Sequence, residues 1–371
     1  MKSVYESKEN CCGCSACFNA CPVGAITMQP DEEGFLYPVI DQSECTDCYK
    51  CAEVCPIRSG KDFKSGHIPK FYAAKHKSEE ALMKSTSGGA FTAISDVFLR
   101  SGGVVYGADF DAGFKIVHRR AENEKQRNRM RVSKYAQSDL GNVFLQVRYD
   151  LANNKHVLFT GTPCQVAGLR GFIGDSPLVE NLYLCDLICY GIPSPLVWQD
   201  YKDLLEKEFG GKLTEVQFRS KMVEWNRNNS NKSFMFKTSN SDEIHSDDRF
   251  YKLFFGAKTI MRPSCEVCSY TDIHRVSDIT IADYWGIEKY APEWMDTRGV
   301  SLVMVNTAKG ATIFEKCSRD LKTEERPAKE ALAEQQRLSS PVKFPENRKE
   351  FWDKYRKLGL ENYFKYMNNS R

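Results

Sequence analysis

Residues 11–22 read CCGCSACFNACP, five cysteines with a proline directly after the last. Four of the five, Cys11, Cys14, Cys17 and Cys21, keep the spacing C-x2-C-x2-C-x3-C-P. Cys45, Cys48, Cys51 and Cys55, followed by Pro56, repeat that spacing without an error. Three thiolates on one short loop can cap three irons of a cubane, and a distant cysteine must supply the fourth. The proline helps turn the chain away through its fixed φ.

The doubled run is that of bacterial two-cluster ferredoxins, in which the fourth cysteine of each run ligates the other cluster. The expected ligand sets are therefore Cys11, Cys14, Cys17 and Cys55 for one 4Fe–4S cluster, and Cys45, Cys48, Cys51 and Cys21 for the second. Cys12 is out of register and reads as a small buried filler. Zinc is the competing metal, but a zinc site closes on four ligands and has no use for a doubled run. Between the runs, residues 25–41 place the turn-forming PDEEG between short apolar stretches, as a hairpin would. Fully cysteine-ligated cubanes offer no open coordination position, so this module reads as an electron relay and any catalysis lies downstream.

The whole chain, 371 residues with a formal net charge of +3, is long enough for two or three domains. That charge gives no case for nucleic-acid binding, and no apolar run approaches the ~18 residues of a membrane span. The first ten residues, MKSVYESKEN, carry no apolar signal core, which sets the expected location as cytoplasmic. In a reducing compartment fifteen cysteines call for metal rather than disulfides.

Gly, Ser and Lys in residues 57–70 mark a linker, which bounds the ferredoxin module at 1–68. From 69 to 340 strand-like and helix-like stretches alternate: KFYAAKH, GVVYGADF, KIVHRR, KHVLFTG, NLYLCDLICYG, DITIADYWG and GVSLVMVNT as strands, with amphipathic segments between several of them. The expectation is a mixed α/β or α+β domain. Residues 341–371 form a helical tail whose basic face reads as solvated surface. Neither G-x-G-x-x-G after a strand nor G-x-x-x-x-G-K-[ST] occurs, which disfavours a Rossmann nicotinamide site and a P-loop.

Four turn-rich spots carry reactive residue types. Ser85, Thr86, Ser87, Gly88 and Gly89 open a helix and suit a phosphate, or merely cap it. Cys164 in GTPCQ and Cys189 in ICYG lie at element ends, and Cys265-x2-Cys268 is a more specific pair. Together these four thiols suffice for one further cluster, with buried packing as the alternative for each. Cys185 lies inside a strand-like run, and Cys317 in a helix, where packing accounts for them.

At STSGGAFTAI, GGVVYGADFD, SKYAQSDLGNVF, LFTGTPCQVAGLR, DLICYGIPSPLVW and RPSCEVCSY…RVSDITIADYWG the sequence resembles the beta-subunit family of coenzyme F420 hydrogenases and dehydrogenases, from about residue 71 to 306. The resemblance implies FAD in the α/β domain and a third 4Fe–4S cluster on Cys164, Cys189, Cys265 and Cys268. It implies flavin contacts from Ser85, Thr86, Ser87, Gly88, Gly89, Ser133, Tyr135, Thr162, Asp278 and Asp283. Lys134 and Arg275 are the candidates for stabilising reduced flavin at its pyrimidine edge. The implied function is an oxidoreductase joining a two-electron carrier, F420-like or another organic substrate, to one-electron clusters and on to a redox partner protein or ferredoxin. Two alternatives stand beside it: a non-catalytic electron-transfer subunit of a larger complex, and a flavin-dependent enzyme of polysaccharide or sugar modification.

Overall fold

The cysteine runs are alike in backbone as well as in spacing. A computed structural model of the protein describes residues 3–369. In each run the residues flanking the second cysteine take left-handed φ, Gly13 (+66°) and Ser15 (+59°) in the first, Asp47 (+52°) and Tyr49 (+59°) in the second. Three of these are not glycine, and such conformations persist only where the surroundings enforce them. A short helix follows each bend, Ala16–Ala20 and Lys50–Glu53. Between the runs β1 (Ile26–Pro30) and β2 (Leu36–Ile40) form the expected antiparallel hairpin, with Ile26 opposite Ile40.

The large domain is built on an eight-stranded mixed sheet. Its strands are β3 (Lys70–His76), β4 (Val104–Phe110), β5 (Ile116–Ala121), β6 (Val157–Gly161), β7 (Leu182–Leu187), β11 (Ile279–Asp283), β12 (Ser301–Val305) and β13 (Leu321–Arg326). Across the sheet they run β13-β3-β12-β11-β7-β6-β4-β5. The central four, β11-β7-β6-β4, are parallel and the flanking pairs antiparallel. Apolar runs such as VLF in β6 and LVMV in β12 are buried, as strands covered on both faces must be.

Helices α1 (Ala90–Arg100) and α5 (Ala308–Cys317) share one core with Val105, Leu158, Ile279 and Val303. Helices α2 (Val143–Ala152) and α3 (Pro163–Ile173) share another with Val104, Val157 and Phe159. Cys12, Cys14 and Ala16 belong to that second core, so the ferredoxin module is packed into the large domain. A small antiparallel sheet of β8 (Leu213–Gln217), β9 (Met235–Thr238) and β10 (Ser241–Ser246) sits on helix α4 (Pro195–Phe209). Its core is aromatic, with Trp198, Tyr201, Phe218, Phe234 and Phe250.

Helix α6 (Arg348–Asn369) departs from the solvated surface element its basic pattern predicts. It buries Phe351, Trp352, Tyr355, Leu360 and Tyr363 in the aromatic core. Gly359, at φ +72°, breaks the helix and rotates its second half, so its apolar residues never form one helical stripe.

Candidate functional site

A cleft of about 460 Å³ opens at the carboxyl ends of β4, β6, β7 and β11, where parallel α/β sheets present loops rather than paired backbone. Ala108, Thr160–Thr162, Cys185–Ile192 and Ile281–Asp283 form its floor. Its walls are Ser85–Ser87, the loop 130–136, Phe254 and Phe255, and Glu334–Arg337. Phe254 and Phe255 lie on a π-helical turn (Lys252–Ala257), a distortion that recurs at functional sites.

The STSGG stretch bends into the cleft because Gly88 and Gly89 permit it. A Cβ on Gly88 would lie 2.2 Å from the Ala74 carbonyl and 2.5 Å from the Ser301 nitrogen, and Gly89 holds φ +87° at the start of α1. Of this group, Ser85, Thr86, Ser87 and Gly89 line the cleft, while Gly88 is pressed against the strands behind it. Thr86 Oγ1 accepts from the Ser133 backbone N–H at 2.8 Å, joining this turn to the 130–136 loop. Ser85 and Ser87 donate to the carbonyls of Ala81 and Val300, both at 2.7 Å.

Two of the candidate charges serve the framework. Arg275 is buried outside the cleft, 2.8 Å from Asp186, and its other N–H groups reach the carbonyls of Tyr270, Asp272 and Leu187. Asp278 likewise lies outside it, accepting from the Leu184 N–H at 2.9 Å and the Thr307 hydroxyl at 2.7 Å. Neither of these expected flavin contacts, Arg275 and Asp278, lines the cleft. These side chains are consumed in joining β7, β11 and the 270–278 loop. Lys134 does line the cleft, but its ammonium donates to the carbonyls of Arg129, Arg131 and Val132, clasping its own loop. Burial lowers its pKa to about 8.

The expected Asp283 lines the cleft beside residues that carry no sequence signal. Asp283 pairs with Arg219 at 3.2 Å and accepts from Trp225 Nε1 at 2.7 Å, while Arg219 lies over the Trp285 ring. His118 is buried and lowered by desolvation to about 4, hence neutral at ordinary pH. Its Nε2 faces the Thr160 carbonyl at 3.0 Å, which can only accept, so Nε2 carries the proton. Nδ1 then accepts from Ser138 Oγ at 2.7 Å, and Ser138 in turn accepts from Gln165 Nε2 at 3.0 Å. Gln165 also closes the capping box of α3 with Thr162, so floor, ring and helix start are one hydrogen-bonded unit. Arg131 and Arg337 line the cleft, and one guanidinium nitrogen of each, Arg131 Nε and Arg337 Nη1, is buried with no partner among the described residues. Such donors invite an anionic ligand.

The cleft ends on thiols. Cys189 lines it, and burial followed by the neighbouring Cys265, Cys164 and Cys268 pushes the Cys189 pKa up. The Ile192 N–H points at Cys265 Sγ at 3.4 Å, and Thr162 Oγ1 stands 3.3 Å from Cys164 Sγ. Beyond Cys164 comes Cys12, buried in the same core as Cys14, against which Cys164 packs. The ferredoxin thiols then gather in the crossed sense. One small cavity is walled by Cys11, Cys12, Cys14, Cys17 and Cys55, another by Cys21, Cys45, Cys48 and Cys51. The donor chemistry of both suits iron–sulfur clusters.

The seam between module and large domain is clamped by Arg262. Its guanidinium donates to the carbonyls of Cys11 (2.8 Å) and Leu36 (3.1 Å) and to Gln137 Oε1 (2.7 Å), and lies over the Tyr37 ring. Cys185 and Cys317 are buried in the core that α1 and α5 share. Among the described residues no helix is long and apolar enough to cross a membrane.

Residues 10–59 match the 4Fe–4S dicluster domain. Residues 154–331 match the family described as the C terminus of the coenzyme F420 hydrogenase/dehydrogenase beta subunit. The isethionate sulfite-lyase activating enzyme of Desulfovibrio desulfuricans is 52% identical over 46 residues, 12% of this chain and 14% of that protein. An uncharacterized ferredoxin of Methanocaldococcus jannaschii is 39% identical over 56 residues, 15% of this chain and 71% of the ferredoxin. Among solved structures, a chain of the F420-reducing NiFe hydrogenase complex from Methanosarcina barkeri, in a xenon derivative, shares the fold. Its TM-score is 0.51 at 17% identity, covering 81% of this chain and 96% of that one. Residues 154–331 therefore carry the C-terminal domain of the coenzyme F420 hydrogenase/dehydrogenase beta-subunit family, and residues 10–59 a 4Fe–4S dicluster domain, which together make this an iron–sulfur protein of oxidoreductase-type electron transfer.

Proposed function

We propose that the protein is an FAD-dependent iron–sulfur oxidoreductase, exchanging two electrons with an organic carrier in the cleft and single electrons along three 4Fe–4S clusters. The observation that carries this reading is the position of Cys189, in the cleft floor and beside Cys164, Cys265 and Cys268. FAD, when bound, supplies the conversion between two-electron and one-electron chemistry. Arg131, Thr86, Ser133 and the start of α1 at Gly89 are the groups to hold its diphosphate, by charge, hydroxyl and helix-terminal N–H. The neutral, hydrogen-bonded His118 and the Thr162–Gln165 cap keep the floor beneath it rigid. Cys164, Cys189, Cys265 and Cys268 are the proposed ligands of the inner cluster; the crossed ferredoxin sets hold the other two.

Both an F420-like deazaflavin and another organic substrate suit this cleft. Direction of flow follows from the potentials. A relay role within a larger complex is the second reading, favoured by Cys48, which is exposed at the far end of the thiol series with Tyr49 beside it. Anaerobic purification with iron, sulfide and flavin analysis tests the proposal. About twelve irons and one flavin are expected, and Cys265→Ser with Cys268→Ser should remove about four irons. About eight irons and no flavin would leave only the dicluster relay. Turnover of the isolated chain with reduced F420 and an artificial acceptor separates enzyme from relay.

A further inference from the structure

Arg262 belongs to the large domain, where its backbone N–H donates to the Ile192 carbonyl at 2.8 Å beside the cleft. Its side chain leaves that domain and enters the first cysteine run. The residue is 1% exposed. Its acceptors are the carbonyls of Cys11 and Leu36, the amide oxygen of Gln137 and, through Nη2 at 3.7 Å, the Cys11 sulfur. None of these is a carboxylate, and only the sulfur becomes an anion, as a cluster ligand. A buried charge without a partner is strongly destabilising, so a guanidinium placed here needs the negative charge that ligating thiolates bring. We infer that Arg262 is the counter-ion of the cluster on Cys11, Cys14, Cys17 and Cys55, holding its reduction potential above the value that burial alone would give it.

The repeated run supplies an internal comparison. Gly13 and Asp47 are equivalent in the two runs and share a left-handed φ, +66° and +52°. A Cβ on Gly13 would lie 2.8 Å from Arg262 Nη1 and 3.0 Å from its Cζ, so the glycine makes room for the cation. In the second run Asp47 occupies that place, with Oδ1 3.8 Å from the sulfur of Cys45, the counterpart of Cys11. The first thiol of one run thus faces a buried cation, and that of the other an exposed carboxylate. The buried rings of Tyr37 and Phe35, with centroids 4.2 and 5.4 Å from the guanidinium carbon, close over the cation.

The physical consequence concerns potential. Reduction adds one electron, and so one negative charge, to a site already negative through its thiolates. Taking that site out of water disfavours the added charge. A guanidinium within hydrogen-bond reach of a ligand sulfur favours it and raises the reduction potential. The transfer this serves moves one electron between neighbouring clusters, one oxidised and the other reduced, with no proton moved and no bond broken. Arg262 thereby keeps the enclosed cluster reducible from the exposed one.

This inference rests on Cys11 being a cluster ligand, and one experiment separates the two. The full chain and its Arg262→Met, Arg262→Gln and Arg262→Lys variants are purified anaerobically, their iron is counted, and a titration with dithionite is followed by EPR. Cys11→Ser and Cys48→Ser variants assign the signals of the two ferredoxin sites. A Cys11→Ser protein with the iron and the signals of the unmodified chain would sink the ligand reading, and the counter-ion with it. Otherwise Arg262→Met should keep its iron and move the cluster that Cys11→Ser perturbs to a more negative potential. The cluster that Cys48→Ser perturbs is the reference and should stay where it was. Arg262→Gln keeps hydrogen-bonding groups at the seam, serves where Arg262→Met does not fold, and should shift the potential the same way. Arg262→Lys retains the charge and should stay nearer the unmodified value. Loosening of the seam alone would admit water, favour the added charge and move the potential in the opposite direction, so the sign separates charge from packing. An unchanged or more positive potential in Arg262→Gln would overturn the inference and leave the ligand reading intact.

Discussion

Arg262 donates through Nε to the carbonyl of Cys11 at 2.8 Å, tying a loop of the large domain to the first residue of the cysteine run. The same guanidinium also reaches Leu36 and Gln137, so removing it strands several buried acceptors at once. Hydrogen bonds to a charged group are worth about 1.5–3 kcal/mol each. Arg262→Met should therefore loosen the ferredoxin module from the large domain while leaving both domains folded. The expected result is faster proteolysis within residues 57–68 and a lower melting temperature, with iron still bound to the module. Unchanged cleavage there would contradict the clamp.

Arg275, outside the cleft, forms a buried pair with Asp186 of its floor, 2.8 Å apart. Breaking such a pair by removing one partner costs ~3–5 kcal/mol, because the other charge is left stranded. Arg275→Met should thus lower stability sharply. Any flavin retained by the surviving folded protein should keep its midpoint potential. A shifted flavin potential at normal stability would instead place Arg275 in direct contact with the flavin.

His118 sets a pH dependence of stability. The unfolded chain takes up this proton near pH 6.5, whereas the folded chain refuses it until about pH 4. The unfolded state therefore binds more protons in that window, and stability rises with pH across it. The contribution is fully present above pH 6.5 and lost progressively as pH falls towards 4, ~3 kcal/mol in all. His118→Gln should flatten this part of the profile in melts between pH 4 and 7. A slope identical to that of the unmodified protein would reject the assignment.

Gly168→Ala places a methyl group 2.7 Å from the Cys14 sulfur. Overpacking of this kind costs about 1–3 kcal/mol. Because the obstructed atom is a thiol of the first ferredoxin set, the EPR spectrum of that cluster should change as well. Gly174→Ala, with nothing within 4 Å of the added carbon but φ at +64°, is the comparison. It should cost stability through backbone strain and leave the spectrum alone.

The parts legible in the sequence are those written locally. Cysteine spacing is local, and it announces a module whose loops, bends and crossed sets follow. The buried strands β6 and β7 announce themselves by the apolar runs VLF and LYLC. β13, LKTEER, does not, because an edge strand half open to solvent carries charges where a central one carries valine. The aromatic subdomain is equally hidden, its short strands β8–β10 having no apolar alternation. Asp283 is foreseeable, but its partners Arg219 and Trp225 come from a distant stretch and acquire meaning only when buried beside it. Cys12 is the small buried filler its register implies.

The gradient of burial along the thiols has a chemical cost. Cys14 and Cys17 are enclosed, whereas Cys48 lies open to solvent and the rest of its set is half-covered. Dissolved oxygen and peroxide therefore meet the outermost set first, and thiolates that are accessible are the ones oxidised. In air the protein should fail from its tip inwards, losing its connection to the outside before it loses the chemistry within.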